Sequence, residues 1–427
     1  MPRLLTFALV LVPLPAFATD YDLAPINYTK ATPDNVLSRL QDRLDKGKAK
    51  LAFDEDHGFL KSVLTELNVP LSSQVLVFSK TSFQRDRIAP KTPRALYFND
   101  DIYIGFCQHG DVVEVSAVDP RLGAVFYTLD QQPVPRPRFV RHTDECLSCH
   151  GSTLTKNVPG HLVRSLFPDR TGNPILSLGS TRVDHTTPFE DRWGGWYVTG
   201  THGKQVHRGN RFLTGHPTDP PRDNPEGVNV TDLKFRFTVA NYLTPHSDLV
   251  ALMVLEHQVE GHNRIARAGL ETRVALHQQA EFDRILDRKT EGLSDSTARR
   301  IQSACEPLVR YLLFSGEAKL SEPIVGTSSF AADFAARGPK DAKGRSLRDF
   351  DLKTRLFKHP CSYLIHSEAF RGLPAEAKDY VLSRIEEVLT EQDRSGHFDH
   401  LSTADRQAIR EILLATGFGA DGRLRWR

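Results

Sequence analysis

Residues 146–150 read Cys-Leu-Ser-Cys-His, two thiols three positions apart with an imidazole directly after the second. A C-x-x-C pair alone cycles between dithiol and disulfide, a C-x-x-C pair with a second Cys/His pair holds zinc, and C-x-x-C-H anchors a haem. With 5 Cys and 17 His among 427 residues, random placement gives the trio in roughly 2 of 1000 such chains. A redox dithiol leaves His150 unexplained, and the flanks lack the strand-then-helix setting of a thioredoxin unit. Structural zinc needs a fourth ligand, and the chain holds no second C-x-x-C. Haem c uses all three residues: Cys146 and Cys149 form thioethers to the vinyl groups, and His150 is delivered to the iron as proximal ligand. One covalent haem c is therefore the expected cofactor.

At Cys146, Cys149 and His150 the chain resembles the c-type cytochromes. The resemblance covers little else. In the small class of those proteins the motif lies on the first helix near the N-terminus and a Met ligand follows several dozen residues later. Here the motif lies a third of the way along, the following "GSTLTKNVPG" reads as loop, and beyond Met1 the only methionine is Met253. The order of strands, a Pro-rich approach "QQPVPRPRF", the motif and a Gly-punctuated hairpin is similar to exported sensor-type haem domains with a PAS-like sheet. It is also similar to exported bacterial proteins with a single C-x-x-C-H.

The sixth iron position decides between electron exchange and ligand chemistry. His202, in the loop "TGTHGKQVH" between Thr201 and Gly203, is the expected distal ligand, because polar loop residues on a rigid scaffold often carry function. His257 is the alternative: with Met253 it lies four apart on one face of an expected helix. His207 and Arg208 would form a distal pair for peroxide cleavage. Trp193 and Trp196 offer flat apolar surface to a haem, and Arg164 and Arg170 offer guanidinium groups to its propionates.

These residues need a frame. Residues 1–18 place Arg3 before an apolar run and end Ala-Phe-Ala, the pattern of a cleaved secretory signal, so a periplasmic protein is expected. Loss of Arg3 with it would lower the formal charge of +2 by one, a balance that gives nucleic acid nothing to bind. No later run is long enough to span a membrane. Short apolar runs broken by Asn99-Asp100-Asp101 and by "DPRLG" at 119–123 predict hairpins ahead of the motif, and "LVRSLF" with "PILSLGST" predicts another behind it. Helical spacing marks "VLSRLQDRL" and "FLKSVLTEL" near the N-terminus. A helix of some forty residues is expected from Thr244-Pro245, with breaks at Gly261 or Gly269, and further helices from "STARRIQSACEPLVRYLLF", "PAEAKDYVLSRIEEVL" and "STADRQAIREILLAT". Residues 321–353 read as structureless chain. The expected class is α+β: a β-rich unit of mixed sheet over 19–215 carrying the haem, a connection over 216–243, and a mainly helical unit over 244–427. Cys305 and Cys361 are a candidate disulfide, with buried free thiols as the alternative.

Three functions follow from these residues. The first is an exported monohaem cytochrome exchanging single electrons with a redox protein or a small-molecule donor or acceptor. The others are a peroxidase-like enzyme with an open iron, and a haem-based sensing or partner-binding module.

Overall fold

The computed structural model describes residues 20–426 except 216–218, 220, 222, 289 and 421–422, so the expected leader lies outside the described residues. The chain folds as α+β. Its centre is a seven-stranded sheet in the order β6-β5-β4-β3-β2-β1-β9, and every pairing is antiparallel, where a mixed sheet was expected. The strands are β1 (Val75–Val77), β2 (Arg94–Phe98), β3 (Ile102–Phe106), β4 (Val112–Asp119), β5 (Gly123–Asp130) and β6 (Phe139–His142), with the pair β7 (Arg164–Leu166) and β8 (Ser180–Arg182) beside them; β9 (Trp196–Tyr197) closes the β1 edge. The turns at 99–101 and 119–123 make the expected hairpins, because Asn and Asp side chains bond their own backbone there: Asn99 Oδ1 accepts from Asp101 N and Asp119 Oδ1 from Arg121 N and Leu122 N. Of the stretch "PILSLGST" only Ser180 and Thr181 are strand, the start of β8, after a single turn of 3₁₀ helix.

The period of two sorts the sheet into two faces. One carries Tyr97, Ile104, Val115 and Tyr127 and packs with α1 (Val36–Asp45) and α2 (Leu60–Glu66) in an apolar core. Asn35 caps α1, accepting from Leu37 N and Ser38 N, while Ser38 Oγ accepts from Asn35 N. On the opposite face the strand registers line up Phe98, Tyr103, Ser116, Phe126 and His142 in one ladder across five strands. The motif forms a single turn, α3 (Leu147–His150).

The second half is mostly helical: α4 (Leu249–Ile285), α5 (Asp295–Leu312), α6 (Phe330–Ala336), α7 (Glu368–Arg371), α8 (Ala375–Leu389) and α9 (Thr403–Ala415). The long helix runs unbroken for 37 residues through Gly261 and Gly269. It starts four residues later than Thr244-Pro245 suggested, because Asp248 is the cap, its carboxylate accepting from Val250 N and Ala251 N. Its first half is buried on all sides, as a helix without a polar face must be. α4 thus joins the two halves: Leu252, Leu255 and Val259 share one core with Phe98 and Tyr103 of the sheet and with Leu308 and Leu312 of α5. The expected structureless stretch contains α6 and a two-residue strand at Val325–Gly326, which pairs with Gly200–Thr201. Cys107, Cys305 and Cys361 are buried free thiols, so the candidate bridge between Cys305 and Cys361 is absent. Among the described residues, no helix is long and apolar enough to cross a membrane.

Candidate functional site

The C-x-x-C-H turn forms part of the wall of a cavity of about 390 Å³, within the range of small-molecule and cofactor sites. The ladder side chains make its floor, with Leu96, Gly105 and Glu114 beside them; Leu255 and Val259 of α4 and Trp196 of β9 supply apolar wall. Cys146 is half-buried, Cys149 is exposed, and both line the cavity with His150.

His150 is fixed by a two-way exchange with Gly160. Gly160 N donates to the His150 carbonyl at 2.8 Å, and His150 Nδ1 lies 2.9 Å from the Gly160 carbonyl. A carbonyl only accepts, so Nδ1 carries the proton and Nε2 keeps its lone pair. That is how a metal-ligating histidine is held, its second nitrogen pinned to set tautomer and ring direction. Burial holds the His150 pKa below the ordinary value, keeping the ring neutral.

The loop after the motif is clamped to α4. Asn263 Oδ1 accepts from His161 N and Asn263 Nδ2 donates to the His161 carbonyl, both at 2.8 Å. Lys156 ion-pairs with Glu260 at 3.0 Å, and Arg264 holds the same carboxylate at 2.8 Å. Gly160 permits this approach: a Cβ there would lie 2.4 Å from Asn263 Oδ1. The cavity-lining His161 bonds Ser116 Oγ through Nε2 at 2.7 Å, and its buried Nδ1 has no partner. Its backbone follows directly on the carbonyl that pins His150 Nδ1. The remaining cavity imidazole is His142, bonded to Thr128 Oγ1 at 2.8 Å.

A polar group crosses the floor. Arg94 pairs with Glu114 at 2.6 Å, and Glu114 also accepts from Gln84 Nε2 at 2.9 Å. Gly105 makes room for the guanidinium, which a Cβ would meet at 2.1 Å.

The distal ligands expected from sequence are elsewhere. His202 is buried with its Nε2 accepting from Asn229 N at 3.0 Å and does not line the cavity. His257 is enclosed in the helical core, with Nδ1 against His185 Nδ1 and Nε2 against Ser362 Oγ, each at 2.8 Å. The reason is helical phase: Leu255 and Val259, four apart, face the cavity, and His257 midway between them faces away. Met253 is core. His207 packs on Trp193, and Arg208 pairs with Asp191 instead of joining a distal pair. Of the flat and cationic candidates, Trp196 and Arg164 line the cavity; Trp193 donates to Glu256 in the core, and Arg170 is not on the cavity wall. Sequence reading missed Tyr103, Arg94, Glu114, His142 and His161, although the period of two in the strands places the first four on one face.

Two rival chemistries for the trio fare differently here. Burial, with Glu114 and Glu145 adding to it, pushes the Cys146 thiol up to about 11, against the lowered pKa of a reactive dithiol. Among the described residues, the grouping that brings three Cys, His or carboxylate ligand atoms within 4.8 Å of one another is Asp54, Asp56 and His57, outside the motif, so a zinc set around Cys146 and Cys149 lacks its further ligands. No family model, curated protein or solved structure matches the chain.

Proposed function

We propose that this chain is an exported monohaem c-type cytochrome, with Cys146 and Cys149 as thioether anchors and His150 as the proximal iron ligand. One observation carries the reading: both thiols and an imidazole with Nδ1 pinned and Nε2 free share the wall of one largely apolar cavity. Bound there, the haem would supply a one-electron couple. The chain's own part is to orient the imidazole through Gly160, to exclude water with Phe98, Phe126, Leu255 and Trp196, and to place cationic Arg94 and Arg164 where an acidic edge would need them. The exposed Cys149 leaves the motif open to a redox partner at the surface.

A second reading is a haem-dependent enzyme acting on hydroperoxides. What favours it is that, among the described residues lining the cavity, there is no methionine, and the two imidazoles besides His150, His142 and His161, each bond a strand hydroxyl through Nε2.

Produced in a host that attaches haem c, the protein should keep a haem-linked peroxidase stain on a denaturing gel and show a Soret band. Cys146→Ser with Cys149→Ser should lose both. A wild-type band without stain overturns the haem reading. A reduced spectrum indifferent to carbon monoxide, with a reversible one-electron wave, supports electron transfer; a spectrum that shifts with carbon monoxide selects the second reading.

A further inference from the structure

We infer that Tyr103 is a redox-active tyrosine, giving one electron to an oxidant in the cavity and its phenolic proton to His262 Nδ1. The inference rests on the haem reading. Tyr103 lines the cavity, and its hydroxyl lies 2.8 Å from Nδ1 of His262 on α4, a residue that is not on the cavity wall.

The direction of that bond follows from one backbone carbonyl. Gln258 Nε2 lies 2.7 Å from the Asn99 carbonyl, which only accepts, so Nε2 is the amide nitrogen and a donor. The same nitrogen donates to Tyr103 Oη at 3.0 Å, and Gln258 Oε1 accepts from Tyr363 Oη at 2.6 Å. The Tyr103 proton is left with one partner, His262 Nδ1. Burial holds the imidazole neutral, its pKa lowered to about 4, so the nitrogen has a lone pair to receive the proton. Burial also pushes the Tyr103 phenol far above its ordinary value, so electron loss without proton loss has no phenolate to start from.

Tyr363 is the internal contrast. Its hydroxyl donates to an amide oxygen, a poor base, and the Arg348 guanidinium lies 4.4 Å over its ring, which opposes removal of an electron. Both tyrosines are buried in one hydrogen-bonded chain, and only Tyr103 has a base to take its proton.

The step balances with a hydroperoxide as oxidant. Hydrogen peroxide takes two electrons and two solvent protons to give two waters as its O–O bond breaks. One electron would be Tyr103's and the other would come from a ferrous haem held in the cavity; the Tyr103 proton stays on His262, and the two protons that enter the waters come from solvent. The opposite nitrogen, His262 Nε2, is buried without a partner, so a charged His262 is poorly housed and returns the proton when the tyrosyl is reduced again.

The test is freeze-quench electron paramagnetic resonance of the haem-loaded full chain, reduced beforehand and then mixed with hydrogen peroxide, with haem stain run in parallel. Wild type and Tyr363→Phe should give a tyrosyl signal, Tyr103→Phe should lose it, and His262→Gln, which keeps an acceptor but no base, should lower its yield several-fold. A stained Tyr103→Phe that keeps the signal, or a stained wild type that has none, overturns the inference while leaving the haem reading intact. Absence of stain in wild type overturns both. Should Tyr103→Phe not fold, the remaining pair decides: a signal lost with Tyr363 and unchanged with His262→Gln overturns the assignment.

Discussion

Gly160→Ala tests how the motif is held. The added methyl would stand 2.4 Å from Asn263 Oδ1 and 3.0 Å from Thr155 Cβ. An ordinary contact requires the amide to retreat by about 1 Å, and Asn263 springs from the rigid interior of α4. That retreat stretches both 2.8 Å bonds to His161 beyond hydrogen-bonding length. Two buried backbone groups then go unsatisfied at about 1–3 kcal/mol each, so partial relief by relaxation gives a loss of about 2–4 kcal/mol. The assay is a double-mutant cycle by urea unfolding. Asn263→Ala alone leaves the same two groups bare and should cost a similar amount. With the amide gone, Gly160→Ala should cost under about 1 kcal/mol, a coupling of about 2 kcal/mol. Equal cost of Gly160→Ala in the two backgrounds would refute the clamp. In the haem-loaded protein the single variant should also alter the iron's absorption spectrum, since the moved loop carries the carbonyl that orients His150.

Two further outcomes follow from the same packing. In α4, Gly261→Ala puts a methyl 2.3 Å from Leu364 Cδ1 and should destabilise by about 1–3 kcal/mol, whereas Gly269→Ala meets only the flexible Leu373 Cδ2 at 3.2 Å and should gain up to about 1 kcal/mol of helix propensity; thermal melts that rank the two the other way reject this account of the helix. Burial lowers the pKa values of His161, His185, His207, His257 and His262, the last to about 4. The unfolded chain therefore binds protons as pH falls through about 6.5 while the folded chain does not, and stability should drop between about pH 6.5 and 4 by up to about 1.4 kcal/mol per unit for each ring. Urea midpoints that stay flat across that window would show the rings to be accessible and protonated in the fold.

Several features were legible because their causes are local. The hairpins at 99–101 and 119–123 were readable from Asx turns, and the helix at 403–415 from the helical spacing of its own segment, which Ser402 and Asp405 begin with a capping box. The start of α4 was misplaced because Asp248 competes with Thr244 for the cap. Asp248 wins through a tertiary partner: its second oxygen also accepts from Thr327 N and Ser328 N, a contact 79 residues away. His202 and His257 drew notice as histidines near a glycine or on a helix face; both rings are buried off the cavity, His257 bonded at both nitrogens and His202 at Nε2, and nothing in the local pattern showed which side of the fold they would take.

By itself the sequence determined the trio at 146–150, the two periodicities and the class of fold, since those depend on residue types a few positions apart. Only the tertiary structure decided which side chains meet the trio. Strand pairing sets Tyr103, Ser116, Phe126 and His142 in one row, and α4 brings His262 to the phenol and Asn263 to the loop across about 100 residues of chain or more. Such encounters are fixed by register and by helical phase, where a shift of one residue turns a side chain to the opposite face, and neither is written in any short stretch of the chain.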